Sequence, residues 1–182
     1  DNIAGGSHTL TNSGNLTVTA VTLQLVKQVW SSGGSCLASM PSDAACNAGA
    51  TSVSVPSGTT LKFLIFVKNG SDVALSDIRF QDLLSDTAGA AGGFTYVAGS
   101  IKRTLTGVGE PASSDTAATI FANADGGTAL TDAVANADVA GIDTSASPDN
   151  LTVGGAGGAG QNATLSVGSL KAFGIVFQAA KN

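Results

Sequence analysis

The chain has 182 residues and a formal net charge of −5, and 43% of its residues are hydrophobic while 12% are charged. This composition is too apolar and too weakly charged for a disordered chain, and the length suits one domain with a core. Binding to nucleic-acid phosphates requires clustered basic residues, and the eight Lys and Arg do not cluster. The longest apolar run, 61–67, is far shorter than the ~20 residues of a membrane-spanning helix. We therefore expect no nucleic-acid partner and no membrane insertion.

Residue usage predicts an all-β fold. Glu110 is the only Glu, and Thr, Ser, Val, Ala and 24 Gly dominate the chain. Exposed faces of helices are normally filled by Glu, Lys, Arg, Gln and Met, which are scarce here. Many short β-branched runs separated by turn signals are typical of a β-sandwich.

The first 20 residues are predicted to form an extended N-terminal arm. Residues 1–15 are polar and contain glycine, whereas 15–20 alternates as a half-buried strand does. The parity of the apolar positions changes between Ala20 and Val21, which indicates a bulge or a break before the next strand. The apolar positions of the arm are Ile3, Leu10, Leu16 and Val18.

Beyond the arm, residues 21–182 are predicted to form the domain. The first strand ends at Trp30, and Cys36 and Cys46 follow in a loop rich in small residues. We expect these cysteines to form one local disulfide, the alternative being reduced thiols in a cytosolic protein. Because the chain begins Asp1-Asn2-Ile3, as if a leader had been removed, we interpret it as a mature extracellular protein.

The remaining strands are predicted on both sides of a long insert at 107–150. Before it, alternation indicates strands at 52–55, 60–68, 77–82, 94–97 and 100–106. Within the insert, the sequence is rich in Ala, Asp and Gly, which indicates long loops and short strands, such as one at 119–121. One helical turn is expected near 129–136. After it come strands at 151–153, 163–167 and 172–179, with a flexible glycine-rich loop at 154–160.

Several segments resemble a known family. Residues 55–69 join a Pro-Ser-Gly turn, an alternating strand centred on Phe63 and an Asn-Gly turn. A strand ending in Asp82 follows, and 94–100 reads Phe-Thr-Tyr-Val-Ala-Gly-Ser. In this order they resemble the conserved surface-repeat family called domain of unknown function eleven. Segments 127–132 and 165–178 are also similar to it, so the resemblance covers roughly residues 21–182.

The resemblance implies an immunoglobulin-like sandwich on the outside of a bacterial or archaeal cell. It implies no activity, cofactor or catalytic residue. Such domains usually occur as tandem repeats, whereas this chain has one copy preceded by an arm. A lone spacer module has little use unless copies polymerise, which favours a self-assembling filament subunit. The alternative is a monomeric adhesion or spacer module that binds a ligand through a sheet edge or loops.

One strand is apolar on both faces. Leu61, Phe63 and the residues in phase with them form its core face, yet Leu64 and Phe66 occupy the face that the family usually solvates. Burying a Leu or a Phe contributes ~1.5–3 kcal/mol, so something must cover this pair. We expect Leu64 and Phe66 to receive the arm of an identical subunit by donor-strand complementation, with Leu16 and Val18 as main anchors. Cover from the chain's own insert at 107–150 is the alternative for this pair, and pairing within its own domain, as an ordinary first strand, is the alternative for the arm.

Other sites have weak signals. His8 is the only His and lies in the arm, so no His-based triad can form within the domain, and we expect no enzyme, cofactor or metal. The aspartates between Asp125 and Asp149 offer ligands to calcium without any known spacing. Lys27 and Asn182, with Asp82 nearby, suggest an internal isopeptide bond. The sequons for glycosylation are at Asn15, Asn69, Asn150 and Asn162.

Overall fold

A computed structural model describes residues 8–11, 15–18, 22–85, 93–157 and 161–182. Strands dominate this part of the chain, which confirms the all-β prediction. A 3₁₀ turn spans Asn47–Gly49, and the α-helix of the described residues is α1 (Ala117–Asp125). The strands are β1 (His8–Thr11), β2 (Asn15–Val18), β3 (Leu23–Ser31), β4 (Cys36–Met40), β5 (Thr60–Asn69), β6 (Leu75–Ile78), β7 (Phe80–Leu84), β8 (Phe94–Tyr96), β9 (Lys102–Arg103), β10 (Thr128–Ala129), β11 (Ala140–Asp143), β12 (Asp149–Val153), β13 (Leu165–Val167) and β14 (Ala172–Lys181).

An antiparallel main sheet forms the centre of the molecule. Its strand order is β10-β9-β14-β5-β3-β4, and β8 also pairs with β14. In its middle row, Val29 lies opposite Phe63, which lies opposite Phe177. Directly paired residues point to the same face, so the β-branched alternation of β3, β5 and β14 builds one continuous apolar face, called the core face here.

A second layer of strands packs over the core face. It consists of the antiparallel sheets β11-β12-β7 and β13-β6. Alternate residues of β12 point inward, where Leu151 and Val153 are buried against Phe63, Ile175 and Phe177. The two layers make a β-sandwich, as the short strands and turn signals predicted.

Helix α1 covers the opposite face of the main sheet. It begins at Thr116, whose hydroxyl accepts a hydrogen bond from the amide of Thr119, and it ends at Gly126. Its apolar residues Ile120, Phe121 and Ala124 are spaced so that they share one side, and all three are buried. We expected a strand at 119–121 and a helical turn near 129–136, so both predictions are wrong. The cap and the i, i+1, i+4 spacing favour a helix instead.

Leu64 and Phe66 lie beneath this helix. They are 0% and 2% exposed, and they pack with Ile120, Phe121 and Trp30 in a second apolar cluster. The Trp30 and Phe121 rings stack with centroids 4.1 Å apart. The expectation that Leu64 and Phe66 form an open receiving surface is therefore wrong, because the chain's own insert supplies the cover.

The arm contains a hairpin in the single chain. His8 pairs with Val18, and Thr11 pairs with Asn15. Among the described strands, β1 and β2 pair only with each other, so β2 does not act as the first strand of its own sandwich here. Ile3 and the parity change at 20–21 lie outside the described residues.

The predicted disulfide between Cys36 and Cys46 is confirmed. It connects β4 to the loop that leads into the extended segment 51–57, and Cys46 is 1% exposed. The amide of Ser39 also donates a hydrogen bond to the carbonyl of Ala50 at 2.8 Å. Together these links fix the start of segment 51–57 beside β4.

Removing this disulfide should destabilise the domain. We expect the double variant C36S/C46S to lose about 2–3 kcal/mol of the free energy of unfolding, because the unfolded chain regains the entropy of an open loop of this length. Urea titration followed by far-UV circular dichroism measures the change. Equal midpoints and slopes for the two proteins would contradict the prediction.

Candidate functional site: an open groove between the layers

A long groove opens on the core face, where the second layer ends. It has a volume of about 800 Å³ and is lined by β3, β4, β5, segment 51–57 and the end of β14. Its floor includes the apolar side chains of Val29, Leu61 and Phe63. Lys27 lies at one end and Asn182 at the other. We call it the inter-layer groove.

The groove has the length of a strand. Lys27 pairs with Ile65, and Ile65 pairs with Ile175, so these three residues lie in one row across the main sheet. Asn182 is about seven residues beyond Ile175, which corresponds to about 23 Å at the rise of a β-strand. An extended segment of about seven residues therefore matches its length.

Segment 51–57 lines the groove, and Asp82 of β7 binds Lys27 at one end of it. Segment 51–57 belongs to none of the strands of the described chain, and its residues other than Val55 are exposed. In the second layer, β7 is an edge strand among the described strands, since its sheet has the order β11-β12-β7. An edge strand offers a row of main-chain donors and acceptors to a further strand.

An ion pair connects the two layers at the end of the groove. The Lys27 Nζ donates to both carboxylate oxygens of Asp82, at 2.6 and 2.7 Å. The ammonium also lies 5.6 Å from the centroid of the Phe63 ring. Because Lys27 is on β3 and Asp82 is on β7, the pair places the edge of the second layer beside the groove.

Beyond Lys27, the core face of β3 is uncovered. Leu23 and Leu25 are in phase with Lys27 and Val29, yet they are 46% and 52% exposed. Val73, 51% exposed, belongs to the turn after β5, where the side-chain amide of Asn69 donates to the Val73 carbonyl at 2.7 Å, and Asn69 lies opposite Leu23. We call Leu23, Leu25 and Val73 the shoulder patch.

Sequence reasoning missed the groove. Leu23, Leu25 and Val29 alternate as any core-facing strand does, and nothing in that pattern indicates which of them the second layer fails to reach. One signal was present: Lys27 stands in the middle of an apolar face. A charged residue at such a position indicates a place where the core is open or where a buried partner is available.

Two of the four sequons are unsuitable for glycosylation. The Asn69 side chain is fully buried, and its Nδ2, the atom that would carry a glycan, donates to the carbonyls of Val73, Val167 and Gly168. Asn162 is 5% exposed, and its Nδ2 donates to Thr152. The structure thus contradicts both predictions. Asn150 is half-buried on β12, and Asn15 begins β2.

The aspartates proposed for calcium have separate partners. Asp125 binds Lys62, Asp138 binds Thr131, and Asp143 accepts hydrogen bonds from Ser145. The Ser145 hydroxyl and amide lower the pKa of Asp143 below its usual range. Asp149 is buried, and Asp132 contacts Tyr96. No three metal-ligating side chains come together within the described residues.

The register of the main sheet argues against an isopeptide bond between Lys27 and Asn182. The two residues line the same groove but are separated by about 23 Å along the strand direction. The Lys27 ammonium is bound by Asp82, as the sequence suggested, while the Asn182 side chain accepts a hydrogen bond from Thr95 at 2.7 Å. The suggestion of a covalent bond is therefore wrong.

Tyr96 anchors the strand that contributes Phe94 to the groove wall. Its hydroxyl donates to Asp132 Oδ1 at 2.6 Å, and the Gly99 amide donates to Asp132 Oδ2 at 2.7 Å. Burial of the phenol is the larger cause that raises the pKa of Tyr96 above its usual value, and its hydrogen bond to the Asp132 carboxylate raises this pKa as well. The fold therefore favours the protonated phenol, which donates the hydrogen bond to Asp132.

No family model, curated protein or solved structure matches this chain. Within the described residues, no helix is long and apolar enough to cross a membrane.

Tyr96 is the only tyrosine, so its ionisation can be followed directly by ultraviolet absorbance. We expect the phenolate to appear above pH 10, the usual midpoint for tyrosine. Because folding raises the pKa of Tyr96, the protonated phenol contributes to the free energy of unfolding. This contribution is complete below pH 10 and is lost as the pH rises further. In D132N the midpoint should move down yet stay above 10, since burial persists. A midpoint at 10 in the folded wild type would contradict the prediction.

Proposed function

We propose that the protein is an extracellular structural subunit that polymerises head-to-tail, the arm of one copy filling the inter-layer groove of the next. One observation carries this proposal: the groove is about one strand long, has an apolar floor and lies next to β7, an edge strand among the described strands. In donor-strand complementation, main-chain hydrogen bonds give affinity and alternate side chains give register. The groove offers both kinds of contact.

The shape of the groove favours a polypeptide over a small ligand. Small-molecule sites usually enclose the ligand and bring a few polar groups together around it. Here the ends of the groove carry Lys27 and Asn182, about 23 Å apart, and the floor between them is apolar. An extended strand with side chains alternating between the floor and solvent matches this arrangement.

The arm has the chemistry of such a strand. Between residues 2 and 21 the only ionisable side chain is His8, so insertion buries no carboxylate or ammonium. Leu16 and Val18 alternate with Thr17 and Thr19, which gives one apolar and one polar side. Among the described strands of the single chain, β2 pairs with β1, and an isolated hairpin is marginally stable in water. Exchanging that pairing for the groove therefore costs little.

The receiving surface differs from the one expected from the sequence. It is the inter-layer groove and not Leu64 and Phe66, which α1 covers. Donor and acceptor remain different surfaces, so the contact propagates into a chain of subunits unless its rotation closes a ring. The Cys36–Cys46 disulfide supports an oxidising compartment outside the cytosol. The family resemblance adds the expectation of an immunoglobulin-like topology and of a prokaryotic cell surface.

The alternating sides of the arm give a direct test. We expect the variant L16D/V18D to lose filaments, because two carboxylates would enter the apolar groove. The matched control T17D/T19D carries the same charge on the opposite side of the strand and should still polymerise. Negative-stain microscopy and sedimentation of the two full-length variants measure the outcome. Filaments of L16D/V18D at the wild-type level would contradict donor-strand assembly through this segment.

The groove rim gives a second test. Val53 lies on the rim and is 36% exposed, whereas Val108 is 99% exposed on the loop that Asn123 of α1 anchors. We expect V53D to raise the critical concentration for assembly at least tenfold, because an inserted strand would cover the new carboxylate. V108D should leave it unchanged. Light scattering across a dilution series measures this value, and equal critical concentrations would indicate that the groove is not the acceptor.

A further inference from the structure

We propose that the shoulder patch of each donor subunit is a second, direct contact with the body of the acceptor, against the apolar rim of its groove. This inference rests on the proposed donor-strand assembly and adds a surface outside the arm. Its partner is a second copy of this chain. It assigns a role to Leu23, Leu25 and Val73, which the arm-in-groove contact does not require.

The short connection between arm and body restricts where the donor subunit can lie. The four residues 19–22 separate Val18, the last anchor of the arm, from Leu23, the first residue of β3. The five residue steps from Val18 to Leu23 span at most about 18 Å when fully extended. Once Val18 is seated in the neighbouring groove, Leu23 of the donor must lie within that distance of it. The shoulder patch is therefore held close to the acceptor's body.

The chemistry of the patch suits a protein contact. Leu23, Leu25 and Val73 are each about half exposed; the two leucines share the core face of β3, and the Val73 carbonyl is bound by Asn69, which lies opposite Leu23. A group of large apolar side chains that a two-layer sandwich leaves in water is typical of an interaction surface. The position next to the arm distinguishes it from a single exposed leucine.

The acceptor offers a complementary surface. Along the rim of the groove, Met40 is 64% exposed at the end of β4, opposite Lys27. Methionine adapts its shape to irregular apolar partners. On each chain Met40 adjoins Leu25 across β3 and β4, so the patch of the donor meets the edge of the acceptor's own patch. Because this contact accompanies insertion of the arm, it follows the same head-to-tail direction along a filament.

Site-specific photocrosslinking on the full-length chain tests the proposal. A benzophenone amino acid replaces Leu25 in one variant and, as a control, Val108 in another. After assembly and irradiation, we expect the Leu25 variant to give covalent dimers at least tenfold more abundant than the Val108 variant. Peptide mapping should place the crosslinks in residues 37–57 of the second copy.

The other outcomes are distinct. Crosslinks from position 25 to residues 1–21 of the second copy would show that the arm itself covers the patch, which overturns the second contact and leaves donor-strand assembly intact. Filaments without crosslinks at position 25 would also overturn it. Absence of filaments in the unmodified protein would overturn the proposed function, and this inference with it.

A matched pair of substitutions gives an independent measurement. We expect L25Q to raise the critical concentration for assembly at least tenfold, because a polar side chain weakens the contact with the rim. L105Q replaces a leucine that is 41% exposed on the loop beside α1 and should leave assembly unchanged. Circular dichroism confirms that both variants fold. Equal critical concentrations for L25Q and the wild type would contradict the proposal.

Discussion

The whole structure depends on the need to cover both faces of β5. Its consecutive residues Phe63 and Leu64 are 4% and 0% exposed, although they point to opposite sides of the sheet. A single sheet cannot bury such a strand, so the fold requires cover on each side. Helix α1 supplies one cover and the second layer of strands supplies the other. The groove exists because the described second layer reaches β3 at Lys27, through Asp82 of β7, and leaves the neighbouring part of the core face open.

The Lys27–Asp82 pair follows from the same shortage of cover. No described strand of the second layer covers β3 with an apolar side chain at this position. The core face of β3 carries the ammonium of Lys27 instead, and Asp82 of the opposite layer binds it. The pair connects the layers and tolerates water, since the Lys27 side chain is 36% exposed. An apolar residue at this position would instead enlarge the exposed patch that Leu23 and Leu25 begin. The Lys27–Asp82 pair therefore lets the single chain fold although part of its core face is open.

The sequence predicted the strands better than their cover. Alternation identified β5 and β14 and showed that Leu64 and Phe66 need a partner, but periodicity does not say which segment provides it. Helix α1 was missed because its composition, rich in Ala, Thr and Asn, is ambiguous; the Thr116 cap and the spacing of its apolar residues were the available signals. The groove could not be predicted from periodicity, because it lies where the described second layer has no strand over the core face.

The competition between closed monomers and filaments can be stated in energies. The arm precedes β3 and is therefore tethered to its own groove as well, at an effective concentration of about 1 mM. Against subunits at about 1 μM, this tether favours self-insertion by about 4 kcal/mol. In the proposed assembly, contact between copies buries the shoulder patch, and covering the exposed half of its three apolar side chains contributes about 2–4 kcal/mol. The two terms are of similar size, so the proposed contact between bodies offsets the advantage of self-insertion, which insertion into the groove alone does not.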